Sequence, residues 1–486
     1  MLKDGTYWAE QIRLGVITSQ ELLLEINQRV IAANPDLNAV VASDLEKAQE
    51  QLASGGNQEI GPFSGVPIPL KMLGQGKAGL IASSASPLFA NHLAEKTDNF
   101  VLQLEKAGFI PFGQTNAPEF GFKNITDPKL YGVTKNVWNP DYHAGGSSGG
   151  AVSALASGMY PIVAASDGGG SIRIPASFSG VIGLKPSRGS MPTGPDGWRG
   201  WQGASINFGL TISMRDTESL FNSLRSNHKA APYQNVSQEH SQPMPEKLRI
   251  AACLASPVNN PVSIEAQTAY REAIDFLIAQ GHQVTEIPYP VDGLELITSY
   301  YEMNGAETVA MMDGIEASLG RSLVKSDMGP MTWAIYNYGK KLSAGEYVHS
   351  LAKWDQAAFV METLFEDYEL FLSPTATDTA PKISTDLQSD EIRQELEISE
   401  SLSKSELKKL VYDMFEKSLA ITPYTQLANL TGQPAISLPT YVAPNGLPIG
   451  IQFMASKGRE DLLFKIGKEF EEKQQFKLPK YYREQG

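Results

Sequence analysis

Three residues of this sequence stand among neighbours that would let them do chemistry: Lys71, Ser147 and Ser171. Lys71 ends an apolar, proline-rich run, Gly65-Val66-Pro67-Ile68-Pro69-Leu70. Ser147 lies inside Gly145-Gly146-Ser147-Ser148-Gly149-Gly150, and Ser171 inside Asp167-Gly168-Gly169-Gly170-Ser171-Ile172-Arg173-Ile174-Pro175. Glycine admits close backbone approach and positive φ, so N–H groups in such clusters can converge on a negatively charged oxygen.

Three chemistries fit residues of these types. A phosphate-binding loop is disfavoured, because the chain has neither G-x-x-x-x-G-K-[ST] nor a G-x-G-x-x-G that opens a helix after a strand. A nucleophile elbow is the second reading, since Gly145-Gly146-Ser147-Ser148-Gly149 satisfies G-x-S-x-G and would make Ser147 the nucleophile of an α/β-hydrolase-type esterase. That reading needs a downstream histidine. His228, His240, His282 and His349 are available, and none has a supporting pattern around it. The third reading uses no histidine. Ser171 is the nucleophile, the N–H groups of Gly168, Gly169, Gly170 and Ser171 hold the oxyanion, Lys71 is the base, and Ser147 passes the proton between them. A lysine serves as a base near neutral pH only when burial lowers its amine from about 10.4, by as much as 3–5 units. The apolar run before Lys71 would supply that burial. Read alone, the same lysine is a surface residue at a strand end.

These residues need elements to hold them. Residues 65–71 read as a buried strand that ends at Lys71. The first 50 residues read as helices, one opened by Thr18-Ser19-Gln20-Glu21, and a Gly/Ser stretch, Ser54-Gly55-Gly56-Asn57, follows them. Phe100, Val101, Leu104 and Ala107 fit a helix stopped by Gly108, and Phe109 to Phe112 a strand. Ala151 to Ala156 reads as a short helix, residues 162–165 as a strand, and Leu248 to Leu254 as another apolar run. Ala266 to Leu277 gives a helix with a continuous apolar face. The segments at 431–439 and 448–453 read as two strands joined by the turn Pro444-Asn445-Gly446. Alternating strands and helices predict an α/β protein with a largely buried sheet. One body with a smaller helical lobe near 290–370 is expected. The Glu/Ser/Lys-rich stretch 388–409 is expected to be a solvated helix or a mobile insert.

Composition bounds the rest. The chain has 486 residues, 42% of them hydrophobic and 19% charged, which suits a large core and excludes a disordered chain. A net charge of −14 disfavours nucleic-acid and anionic-membrane partners. A single cysteine, Cys253, excludes an internal disulfide framework and any cysteine-based metal cluster, and the start has no apolar signal core. A cytoplasmic location is expected.

The lysine strand, the Gly145–Gly150 cluster and the D-x-x-G-S-I-R-x-P stretch together resemble the amidase signature family of serine hydrolases, and the spacing of the paired serines is reproduced. The resemblance continues through Gly113-Gln114-Thr115-Asn116-Ala117-Pro118-Glu119-Phe120-Gly121, Tyr131-Gly132-Val133-Thr134-Lys135-Asn136, Val181-Ile182-Gly183-Leu184-Lys185-Pro186 and Thr431-Gly432-Gln433-Pro434-Ala435-Ile436-Ser437-Leu438-Pro439. It implies a large mixed β-sheet flanked by helices on both faces, in one amidase domain spanning 1–486. Within it, 1–60 would hold N-terminal helices, 61–220 the signature core and 420–486 the C-terminal part of the core. It implies a Ser–cis-Ser–Lys triad of Ser171, Ser147 and Lys71, hydrolysing a small-molecule amide through an acyl-enzyme with no metal and no cofactor. Ser148, Asp167 and Arg173 would support the turn by hydrogen bonds, and Asn116, Trp198 and Trp201 would line the substrate cleft. Monomer and homodimer stay open.

The sequence departs from the family pattern in two places. Met72 follows the lysine where an Asp is usual, and two of the six tryptophans sit in the loop 191–201. The amidotransferase that acts on mischarged tRNA, an alternative within the family, would carry Ser-Leu-Asp-Gln near Ser205-Ile206-Asn207-Phe208 and Asp-Asn after the lysine; both are missing. The chain more closely resembles bacterial amidases related to the 6-aminohexanoate cyclic dimer hydrolases.

Overall fold

The computed structural model describes residues 2–53, 61–226, 228–234 and 244–484. Its strands are β1 Val40–Ala42, β2 Pro67–Lys71, β3 Ile110–Thr115, β4 Val163–Asp167, β5 Ile182–Lys185, β6 Ile206–Thr211, β7 Arg249–Ala252, β8 Gln283–Glu286, β9 Leu370–Pro374, β10 Ala435–Val442 and β11 Pro448–Met454. β1, β3 and β2 form a small sheet in that order, with β2 and β3 parallel. The other eight form one mixed sheet, β4-β6-β5-β10-β11-β9-β7-β8. Neighbours from β4 to β9 run antiparallel, and β9, β7 and β8 run parallel.

β11 shows why both faces of this sheet are covered. Every residue in it is buried, and successive side chains point to opposite faces. Ile449, Ile451 and Phe453 join the main apolar core, where Phe453 meets Phe470 of the Glu460–Glu472 helix at a centroid separation of 5.8 Å. Gly450 and Gln452 face the other way, onto the helix Arg173–Ser179. Gly450 N–H donates to Ser177 Oγ at 2.8 Å, and Gln452 Oε1 accepts from Arg173 Nη1 at 2.8 Å. This is the expected mixed sheet with helices on both faces.

The strand expected at 65–71 is β2, the strand at 162–165 lies in β4, and the paired C-terminal strands are β10 and β11. The helix expected from Ala151 begins at Gly149, and the apolar face from Ala266 lies in the helix Ile264–Ala279. Two readings need correction. The first 50 residues hold the helices Gly5–Arg13, Ser19–Leu37 and Leu45–Ala53, but β1 lies among them. Three residues are too short for an alternation to register, and β1 exists through its pairing with β3. The stretch Ser54-Gly55-Gly56-Asn57 lies outside the described residues.

The second correction concerns the lobe. The helices Gly293–Leu319, Pro330–Gly339 and Ala344–Asp367 fall in the expected 290–370 span, but Asp390–Glu397 and Lys404–Ile421 join them. The charged stretch 388–409 is therefore neither a mobile insert nor a wholly solvated helix. Most of its Glu, Ser and Lys residues are exposed, the buried Ser399 excepted, while Leu396, Leu407 and Leu410 pack with Ile335 and Tyr338 in a separate apolar cluster. The period continues through Val411, Met414 and Phe415, so a window closed at 409 cut the amphipathic pattern in half. No helix among the described residues is long and apolar enough to cross a membrane.

Candidate active site

Lys71 is the last residue of β2, and burial of that strand carries its amine inside with it: the residue is 1% exposed. Gln75 Oε1 accepts from the Lys71 N–H at 2.7 Å, and Gln75 Nε2 donates to Ala165 O in β4 at 2.9 Å. This ties the end of β2 to β4. Lys71 Nζ donates to Ser147 Oγ at 2.8 Å and to Ser166 Oγ at 2.9 Å. Burial lowers the amine from 10.5 to about 7, against the opposing pull of Asp167. Met72 turns away, its Sδ 3.8 Å from Gln114 Nε2. The orientation that an Asp at 72 was expected to give comes from Gln75 and Ser166 instead. Ser166 was not singled out in the sequence; the signal was its place beside Asp167 at the end of a buried strand.

Two N–H groups of the Gly145–Gly150 cluster are taken up within the protein. Gly149 N–H donates to Thr126 Oγ1 at 3.2 Å and Gly150 N–H to Asn116 O at 3.1 Å. Glycine here serves close packing: a Cβ at Gly150 would lie 2.2 Å from Asn116 N. The Gly146–Ser147 peptide bond is cis. Ser148 Oγ donates to Ser166 O at 3.1 Å, which fixes the serine pair against β4.

The second glycine cluster wraps around Asp167. The carboxylate accepts from Gly170 N–H at 2.7 Å, Ile172 N–H at 3.1 Å, Arg173 Nε at 3.0 Å and Arg173 Nη2 at 2.9 Å. Asn429, from the helix Gln426–Thr431, donates to it at 2.9 Å. Burial pushes the Asp167 carboxyl up, but the Arg173 charge and the hydrogen bonds from Arg173 and Asn429 outweigh it. The group is held well below the usual carboxylate range. Of the four N–H groups expected to face an oxyanion, Gly170's is engaged by Asp167. Gly170 has φ +131, and a Cβ there would lie 2.2 Å from Thr425 Oγ1, so only glycine fits.

Asp167 and Arg173 are both fully buried, and removing one partner strands the other charge in the core. Arg173→Met is expected to lower unfolding free energy by about 3–5 kcal/mol, read as a shift in the urea midpoint. A midpoint within error of the parent's would show that the turn holds without the pair.

Ser171 is half-buried and opens onto a cleft between the glycine turn and the helical lobe. Gly121 and Phe122 lie on the floor, Tyr300 and Asn304 come from the Gly293–Leu319 helix, and Phe415 and Leu419 from the Lys404–Ile421 helix. A Cβ on Gly121 would sit 3.5 Å from Ser147 Oγ, so that buried hydroxyl lies close to Gly121 of the cleft wall. Trp201 lies over Gly168, stacks on Phe122 at 6.0 Å and meets Tyr300 edge-on at 6.0 Å. Trp201 thus touches two lining residues without lining the cleft itself, and the other two residues expected there are elsewhere. Asn116 is fully buried, its Nδ2 donating to Gly132 O and Thr134 Oγ1, and it anchors the start of the Gly149–Ala156 helix. Trp198 lies beside His228 and lines a separate hollow with Arg188 and Tyr233. The lobe residues were missed because nothing local marks them: they are chosen by how distant helices dock.

Among the described residues, the downstream histidines His228 and His282 have partners other than Ser147 and Ser171. His282 is held between Leu248 N–H and Glu469, His349 is exposed on the Ala344–Asp367 helix, and His228 lies tilted against Trp198. His240 lies outside the described residues.

This mixed sheet, with a buried lysine against Ser147 and Ser166 and a glycine turn open to a cleft, belongs to a chain of the amide-hydrolysing class. The chain belongs to the amidase family, whose model matches residues 21–464. It is 39% identical over 479 residues to a lipoamidase of Enterococcus faecalis, covering 97% of this chain but 63% of that longer protein. It is 31% identical to the 6-aminohexanoate-cyclic-dimer hydrolase of Paenarthrobacter ureafaciens, covering 96% of this chain and 94% of the relative. A solved structure of a 6-aminohexanoate cyclic dimer hydrolase superimposes with a TM-score of 0.85 at 30% identity over 98% of each chain. A glutamyl-tRNA(Gln) amidotransferase chain of Neisseria gonorrhoeae is more distant, at 26% identity over 90% of this chain and 91% of the relative.

Proposed function

We propose that this chain hydrolyses a carboxylic amide to a carboxylate and an amine or ammonia, with Ser171 as nucleophile, Ser147 as relay and Lys71 as base. The observation that carries the reading is the 2.8 Å contact of Lys71 Nζ with Ser147 Oγ, made by a buried amine lowered to about 7. A lysine so placed is neutral over much of the physiological range and can accept a proton.

In the forward step Ser147 gives its proton to Lys71 and takes that of Ser171, whose Oγ attacks the amide carbon. The N–H groups of Gly168, Gly169 and Ser171 receive the negative charge on the carbonyl oxygen. Collapse breaks the C–N bond, and the proton on Lys71 returns through Ser147 to the leaving nitrogen. Water then attacks the acyl ester on Ser171, giving up a proton along the same path to Lys71; the acyl C–Oγ bond breaks, that proton returns through Ser147 to Ser171 Oγ, and the acid departs and ionises to the carboxylate. Asp167 and Arg173 hold the turn that presents Ser171. The aromatic and apolar walls favour a neutral small-molecule amide, because Lys123 on the cleft floor is already paired with Asp127.

Fluorophosphonate labelling with peptide mapping tests the assignment. The label is expected on Ser171; a label on Ser147 would return the site to the nucleophile-elbow reading. Replacing His228, His240, His282 and His349 one at a time is expected to keep kcat/KM within about threefold, since none enters the proton path. A loss near that of a nucleophile variant in any of them would overturn the lysine-based mechanism.

A further inference from the structure

Two carbonyl oxygens on the wall of the cleft are left over by the hydrogen-bond network. Asn304 and Gln426 are 6% and 8% exposed, and both line the cleft with Ser171 and Gly169. Asn304 Oδ1 and Gln426 Oε1 are buried and have no hydrogen-bond partner among the described residues. Gln426 Nε2 donates to Thr422 O at 3.1 Å, which orients that amide. Both oxygens are left as acceptors without a donor in residues of the cleft wall. A buried acceptor without a donor costs free energy, which a ligand N–H or O–H recovers on binding.

The rest of the wall says what else the ligand is. Phe122, Ile335, Val411 and Leu419 offer apolar surface, beside the hydroxyl-bearing Tyr301, Ser418 and Thr422. Lys123, the cation on the floor, is held by both carboxylate oxygens of Asp127 at 2.6 Å. A carboxylate entering here would meet two carbonyl oxygens and a lysine already neutralised.

We infer that the part of the substrate held in this cleft is an uncharged, mainly apolar chain bearing its own hydrogen-bond donor, a second amide N–H or a hydroxyl, accepted by Asn304 Oδ1 and Gln426 Oε1. The substrate class is thus a diamide or hydroxyacyl amide rather than a simple alkyl amide or one ended by a carboxylate. This rests on the reading of Ser171 as the acylation centre, because it is Ser171 that makes the cleft a substrate site.

Binding to the Ser171→Ala protein separates the two claims, since no turnover is needed. Calorimetric titration would use N-phenyl amides in matched series: an alkyl chain, the same length interrupted by an acetamido N–H at increasing methylene distance, and the same length ended by a carboxylate. At least one acetamido member is expected to bind about tenfold tighter than its alkyl match, with the carboxylate member weakest. Asn304→Leu with Gln426→Met should erase or invert that preference, and Gln426→Met alone, which alters less of the lobe, should reduce it. Equal or tighter binding of the alkyl series, no binding by any series, or a preference that survives the double substitution would overturn the inference. Failure of the nucleophile reading shows separately, as labelling on a serine other than Ser171.

Discussion

Ser171→Ala is expected to abolish both amide hydrolysis and fluorophosphonate labelling, with kcat falling by about 10⁴-fold or more, the scale seen when a serine nucleophile is removed from a coupled catalytic set. The loss should appear in kcat rather than in substrate affinity, because the cleft walls are supplied by other elements: Tyr300 and Asn304 from one lobe helix, Phe415 and Leu419 from another. The substitution removes one hydroxyl at a half-buried position, and no backbone hydrogen bond of the turn depends on it. The melting temperature should therefore stay within a degree or two of the parent's, and the variant should still bind amides. Burst and steady-state assays with a chromogenic anilide, beside gel-based labelling, read the outcome. Turnover above about 10% of the parent rate would remove Ser171 from its role.

Lys71 carries the second large effect, and its pH dependence gives a check that simple inactivation does not. Burial lowers the amine to about 7. Below that value the group is protonated and cannot accept from Ser147; above it the neutral base predominates. In the parent, kcat/KM should rise about tenfold per pH unit below about 7 and level off above it. Lys71→Ala should lose at least about 10³-fold at every pH, since the proton path then ends at Ser147. Lys71→Arg keeps length and donors but stays charged, so it should be equally inactive and show no rise across neutrality. A parent profile that falls as pH increases through 7, or an active arginine variant, would contradict a lysine base.

How much of this site was legible in sequence depends on the distance over which each residue is specified. Lys71 closes an apolar run whose prolines already favour extended backbone, so its strand is a local property; the burial of its amine, which a strand end alone does not give, comes from packing against β4. Ser171 sits in a turn where Gly170 requires a positive φ and Asp167 accepts N–H groups three to six residues ahead, again a local arrangement. Ser166 could have been found the same way, beside Asp167 on a buried strand. The readings that failed were those needing knowledge of what packs where. Asn116 and Trp198 sit near the right motifs but face other neighbours, and Gly170's N–H was counted free because nothing in the sequence says that the Asp167 carboxylate takes it. The 388–409 stretch looked solvated because its charged face is continuous, while the leucines that bury the other face run past the end of that window.

The sequence by itself determined the residues that could do chemistry: paired serines on glycine-rich segments, a lysine at the end of an apolar strand, and alternating strands and helices that make a largely buried sheet. Those features follow from backbone conformation and short-range periodicity, which neighbouring residues decide; that the sheet is mixed, with helices on both faces, was implied by the family resemblance alone. Only the tertiary structure decided that Gln75 and Ser166 hold the lysine, that Asn429 joins the Asp167–Arg173 pair from 262 residues away, and that Tyr300, Asn304, Phe415 and Gln426 wall the cleft. Such contacts depend on how helices far apart in the chain settle against one another. That is set by the shape and volume of the whole core, which no local pattern encodes.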